Sequence, residues 1–146
     1  MIFLDTGFLY ALVNKRDENH ARVLAVMREY RDRDLRKVGL TTNHVVEETI
    51  TLIKASGHHD PGFAHDAAVV VGRKLYAGFF GRIHQVTPSE ERAAFEYLAR
   101  HRDKKYSLTD CISFVVMDAH GITEALTVDG DFSHRFSVKP GPLQRS

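Results

Sequence analysis

Four acidic residues spread along the chain are the side chains best suited to do chemistry together. Asp5 closes the apolar run MIFLD and Asp129 closes ALTVD, so each sits where a buried strand should end. In an open parallel sheet, ligand sites form beyond the carboxyl ends of the strands. Carboxylates at two neighbouring strand ends would share one crevice and repel unless a cation lay between them. Hard cations take oxygen ligands, and Mg2+ or Mn2+ suits one or two carboxylates completed by water and phosphate oxygens. The plainer alternative is that Asp5 and Asp129 only cap the helices that follow them.

The other two acids fall on helices. Glu48 lies in TTNHVVEETITLI, at the edge of the stripe made by Val45, Val46, Thr49, Ile50 and Ile53. Its neighbour Glu47 points about 100° away on an ideal helix. A solvated helix face is the ordinary place for either glutamate. Asp110 lies three residues after Ser107 in SLTDCISFVVMDAHGI, a capping box with Asp in place of Glu. Capping alone would account for it, through backbone N–H groups and the helix dipole. Yet the helix beyond it is apolar (Ile112, Phe114, Val115, Val116, Met117), so a buried helix presents an acid at its first turn. Asp131 is a second acid beside Asp129, and Asp118, two turns past Asp110, is expected at the surface.

Alternating strands and helices must position these groups. Strands are expected at 1–5, 37–42, 82–87 and 124–129, with a final edge strand in SVKP. Helices are expected at 7–14, from about Asn19 to Arg33 with Ala21, Leu24, Met27 and Tyr30 inward, from Thr42 or Asn43 to Ala55, and from Pro61 to Tyr76. Two more follow at Pro88–Arg100 and 108–119, and DFSHRF should form a short helical turn. This order predicts an α/β fold, a three-layer α/β/α sandwich around a mostly parallel sheet, with one domain spanning 1–146.

Composition narrows the class. With 43% hydrophobic and 27% charged residues, the chain has a globular profile. Twenty Lys and Arg against nineteen Asp and Glu give a net charge of +1, so any RNA-binding face must come from local clustering. One cysteine, Cys111, excludes an intramolecular disulfide and a Cys-based zinc site, in keeping with a cytoplasmic location. No apolar run is long enough to cross a bilayer. The apolar start MIFLDTGFLYALVN lacks a basic leader and holds Asp5, which argues against a signal peptide.

With the stretches FLDTGFLYAL, TTNHVVEETITLI, SLTDCISFVVMDAHGI and ALTVDGDF, taken in order, the sequence resembles the PIN-domain family and, within it, VapC-type toxins. The likeness runs from Met1 to about Phe136. Gly7 stands where many relatives have Ser. The resemblance implies a metal-dependent endoribonuclease whose catalytic acids match Asp5, Glu48, Asp110 and Asp129. Asp5, Asp110, Asp129 and Asp131 would bind Mg2+ or Mn2+, with Thr6, Ser107 and Thr127 supporting them. The cation would orient a scissile phosphate and lower the pKa of a water, and hydrolysis would leave a 5′-phosphate. The resemblance also implies an antitoxin partner and a homodimer.

Basic residues cluster at Arg28, Arg31, Arg33, Arg36 and Lys37, and again at Arg100, Arg102, Lys104 and Lys105. The second group, with Arg135, stands near the expected site and suits RNA phosphates. His58, His59 and His65 surround Asp60 but form no zinc motif. His44 and His120 are expected on helix surfaces or in the core, and Cys111 as a small buried hydrophobe. Phe79 and Phe80 fit either the core or an interface with a second copy or an antitoxin. Competing readings are an RNA-processing nuclease without an antitoxin, a non-catalytic RNA- or protein-binding module, and a phosphate-handling response-regulator or phosphatase type. The single Asp5 with DTG suits the last poorly.

Overall fold

The computed structural model describes residues 1–30 and 34–144. Its centre is a sheet of β1 (Ile2–Leu4), β2 (Gly39–Thr42), β3 (Arg82–His84), β4 (Glu124–Thr127) and β5 (Ser137–Pro140). The strands are all parallel, in the order β3-β2-β1-β4-β5. Every residue of β1 and β2 is buried, as expected of strands covered on both faces. The helices are α1 (Thr6–Val13), α2 (His20–Glu29), α3 (Leu35–Val38), α4 (Asn43–Ala55), α5 (Pro61–Tyr76), α6 (Pro88–Arg100) and α7 (Leu108–Ala119). A short 3-10 helix spans Gly130–His134.

The chain moves outward from β1 through β2 to β3, then crosses back to β4 on the other side of β1. Right-handed crossovers put the helices of these two movements on opposite faces, which gives three layers. The winding therefore reverses between β1 and β4, the place where an open α/β sheet gathers its ligands. Phe3, Leu4, Leu40, Ala125 and Leu126 line the buried sheet. Phe114 of α7 packs edge-on against Phe132 of the 3-10 helix, with ring centroids 4.9 Å apart.

Capping chemistry sets most helix starts. Thr42 accepts from Val45 N–H at 3.1 Å, and Asp60, followed by Pro61, accepts from Phe63 N–H at 3.0 Å. Thr87 with Glu90 and Ser107 with Asp110 form full capping boxes.

Several expected boundaries move. The strand expected at 37–42 begins at Gly39, because Leu35–Val38 closes one helical turn whose N-cap, Asp34, accepts from Arg36 N–H at 3.1 Å. Gly39 is then required: a methyl there would press on the Phe80 carbonyl oxygen and lie 2.7 Å from that of Leu35. β3 stops at His84, since Val86 N–H leaves the ladder for Asn43 Oδ1 at 2.9 Å. β4 stops at Thr127, whose own hydroxyl takes the Asp129 N–H at 2.9 Å and turns the chain. On α2 the buried face is Val23, Val26 and Tyr30, with Met27 partly covered and Ala21 exposed. Two interleaved apolar stripes compete on that helix, and the sheet takes the β-branched one. The expected end of this helix at Arg33, and the basic residues Arg31 and Arg33, lie outside the described residues. Among the described residues, no helix is long and apolar enough to cross a membrane.

Candidate active site

The reversal of winding sets Asp5, just past β1, beside the turn that follows β4. Asp5 N–H still pairs with the Leu126 carbonyl at 3.0 Å, so its side chain leaves the sheet at a fixed point. Thr127 joins the two halves. Its hydroxyl donates to Asp5 Oδ2 at 2.9 Å while accepting from Asp129 N–H. Asp129 then caps the 3-10 helix, its Oδ1 accepting from Asp131 N–H at 2.9 Å.

Asp110 arrives on the first turn of α7. Ser107 Oγ accepts from Asp110 N–H, and Asp110 Oδ2 accepts from Ser107 N–H, both at 3.0 Å. Capping and site are therefore compatible, since the box holds the carboxylate in one orientation. Asp110, Asp129 and Asp131 each offer a carboxylate oxygen, and these oxygens lie within 4.8 Å of one another.

Such crowding is costly for the ionised forms. Burial, then the nearby Asp110 charge, pushes Asp5 up to about 7, although the Thr127 hydroxyl pulls the other way. Burial pushes Asp110 up to about 6, with the Asp129 and Asp131 charges adding to it and the Ser107 N–H opposing. Asp129 is also raised, by burial first. Thr6 Oγ1, adjacent to Asp5, is buried and has no hydrogen-bond partner. Clustered carboxylate oxygens with suppressed ionisation and an unused hydroxyl beside them are an oxygen donor set suited to a hard divalent cation.

The remaining candidates are distributed differently. Glu47 and Glu48 are both exposed and outside the tight group; they line a shallow groove of about 420 Å³ with His44, Thr51 and Thr109, the residue before Asp110. Arg102, Lys104 and Lys105 are exposed on the loop leading to Ser107. Arg135 is already engaged: it meets Asp118 at 2.6 Å and lies over Tyr97, Phe114 and Phe136. His58, His59 and His65 join no metal-holding group among the described residues. His44 pairs instead with Glu91 at 3.1 Å, and Cys111 is buried. Two residues escaped the sequence reading. The Tyr106 hydroxyl lies 3.2 Å from His134 Nδ1, and His134 lies close enough to Asp129 to favour its ionised form. Tyr106 directly precedes Ser107 and His134 follows Asp131 by three residues, and that nearness is the one sequence signal for them.

This fold and this acid cluster define a class. The chain belongs to the PIN-domain family, whose model, described as PIN domain, matches residues 2–135. It is 37% identical over 143 residues to the 23S rRNA-specific endonuclease VapC20 of Mycobacterium tuberculosis, strains CDC 1551 and H37Rv, covering 97% of this chain and 99% of the relative. It is also similar to the crystal structure of the M. tuberculosis VapC20 sarcin–ricin loop cleaving toxin. There the TM-score is 0.78 at 34% identity, over 92% of this chain and 94% of that one.

Proposed function

We propose that the protein is a metal-dependent endoribonuclease, the toxin of a toxin–antitoxin pair, acting on a ribosomal RNA loop. The observation that carries this is the convergence of Asp110, Asp129 and Asp131 within 4.8 Å at the point where the sheet reverses its winding. The 23S rRNA target of a relative that matches almost end to end supports the substrate class. A ribosomal target implies a cytoplasmic site of action.

Asp5, Asp110, Asp129 and Asp131 would hold Mg2+ or Mn2+. When bound, such a cation supplies Lewis-acid polarisation of a phosphate and a water acidic enough to attack near neutral pH. The chain's own contribution is orientation. Thr127 fixes Asp5 relative to Asp129, Ser107 fixes Asp110, and the unused Thr6 hydroxyl is available to a water or phosphate oxygen. Glu48, from the groove beside Thr109, is assigned to orienting the attacking water. Arg102, Lys104 and Lys105 are assigned to RNA phosphates, because they precede Ser107 on an exposed loop. Arg135, held by Asp118, serves there as a tie between the 3-10 helix and α7.

Two surfaces support the protein partners. Leu52, Val69, Val70 and Tyr76 expose an apolar face of α4 and α5, which suits a second copy. A groove of about 450 Å³ between α1, α4 and α5 combines Tyr10, Val13, Ile53 and Phe63 with Lys15 and Arg16. It suits an apolar, acid-bearing antitoxin segment.

The test combines purified ribosomes with Mn2+ and maps cuts by primer extension along 23S rRNA. The parent is expected to give one dominant cut in the loop, abolished by EDTA and reduced by at least about a hundredfold in Asp110→Asn. Cutting by Asp110→Asn at the parent rate would sink the mechanism. A growth defect that no neighbouring gene product relieves would favour the RNA-processing reading over the toxin.

A further inference from the structure

We infer that Arg22 is a positioning residue for the acid cluster, acting through the turn that follows β5. Arg22 sits in the first turn of α2, where its Nη1 donates to Asn19 Oδ1 at 2.7 Å and so aims the guanidinium. Its Nη2 lies 3.1 Å from the carbonyl oxygens of Pro140 and Gly141 and 3.3 Å from that of Pro142. Three consecutive carbonyls converge on one nitrogen because Gly141, at φ +76°, turns the backbone in a way that favours glycine. Converging carbonyl dipoles repel one another, and a planar, permanently charged donor offsets that repulsion.

The turn so held touches the site at two points. Gly141 N–H donates to the Thr127 carbonyl at 3.0 Å, and the hydroxyl of that same threonine holds Asp5 and Asp129. The Pro142 ring covers the link between Asp129 and Asp131: a methyl added to Gly130 would sit 3.4 Å from Pro142 Cγ. β5 is an edge strand paired only with β4, so the turn beyond it needs a tie from another element. Arg22 supplies that tie from α2. It touches none of the acids, yet it fixes the backbone that aims two of them and the threonine that orients a third.

This inference rests on the metal reading above, and the experiment separates the two. Calorimetric Mn2+ titrations, without RNA, compare the parent with Arg22→Met, Arg22→Lys and Pro142→Gly. Near-UV circular dichroism reports folding, and steady-state cleavage separates kcat from KM. Arg22→Met is expected to bind Mn2+ about tenfold more weakly, the scale seen when groups that orient metal ligands are lost. Arg22→Lys should recover part of that loss. Pro142→Gly should match the Met variant, and the double variant should be no worse than the weaker single, because both act on one turn. Cleavage should lose kcat while KM for RNA stays at the parent value. Parent-like Mn2+ binding in both Arg22→Met and Pro142→Gly overturns the brace, whatever happens to Tm. Should Arg22→Met fail to fold, parent-like binding by Pro142→Gly alone overturns it. A parent that takes up no Mn2+ overturns the metal reading, and the brace with it.

Discussion

Asp5 carries the largest electrostatic burden of any side chain in the site. Burial and neighbouring acids raise it to about 7 and Asp110 to about 6, both from 3.8. Without a cation, the folded protein therefore holds more protons than the unfolded chain between about pH 4 and 7. Their contribution to stability is present in full below pH 4 and is lost as pH rises through 6 and 7. In EDTA, Tm should fall across that window. Asp5→Asn, which can still accept from Thr127, should flatten the fall and stabilise the metal-free protein at pH 8 by on the order of 2 kcal/mol. Thermal melts of both proteins at pH 5 and pH 8 check this; parallel slopes would show that Asp5 is not the group responsible. Cation binding must displace these protons, so Mn2+ affinity should climb from pH 6 to 7.5.

At the scale of elements, two capping boxes of the same chemistry do different jobs. Thr87 starts α6 and Ser107 starts α7, each with an acid three residues on. Removing either hydroxyl should cost about 1 kcal/mol of stability. Thr87→Ala should leave cleavage unchanged, because Glu90 pairs with His84 at 2.8 Å and is not one of the clustered acids. Ser107→Ala should lower kcat as well, since the box it breaks aims Asp110. Melting curves beside single-turnover cleavage separate the cases, and equal activity in both variants would show that capping does not orient the acid. The same contrast explains what could be read from sequence at this level. Thr42, Asp60 with Pro61 and Ser107 announce helix starts locally, and all of them cap; Thr87, expected at the end of the 82–87 strand, caps the helix that Pro88 announces. Leu35–Val38 does not announce itself, because β-strand and helical readings of LRKV differ only in what surrounds it.

For the molecule as a whole, the proposed cation and the proposed second copy would be two external sources of stability. A ligand bound only by the folded state stabilises it by about 2.7 kcal/mol at a hundred times its Kd. Saturating Mn2+ should therefore raise Tm at pH 7.5, and EDTA should reverse the rise. Asp129→Asn should weaken the response, and a full response in that variant would remove Asp129 from the donor set. Pairing of two copies through the apolar face of α4 and α5, as proposed, predicts a dimeric mass for the parent on light scattering and a monomeric one for Val69→Asp combined with Val70→Asp. An unchanged mass would move the interface elsewhere.

Local signals along the chain carry the α/β order and nearly every helix start, because caps, prolines and apolar runs act over a few residues. They place Asp5 and Asp129 at strand ends and mark Asp110 as both cap and candidate ligand. Which carboxylates meet follows from the packing of distant elements. The separation of Asp5 from Asp129 in sequence becomes adjacency because the winding reverses between β1 and β4. Asp131 joins Asp110 and Asp129 in the tight group, while Asp5, Glu47 and Glu48 stay outside it. The face of α2 that is buried, and the reach of Arg22 to carbonyls 118 to 120 residues away, are likewise long-range outcomes. They depend on how layers stack, and that stacking leaves no periodic trace in the local sequence.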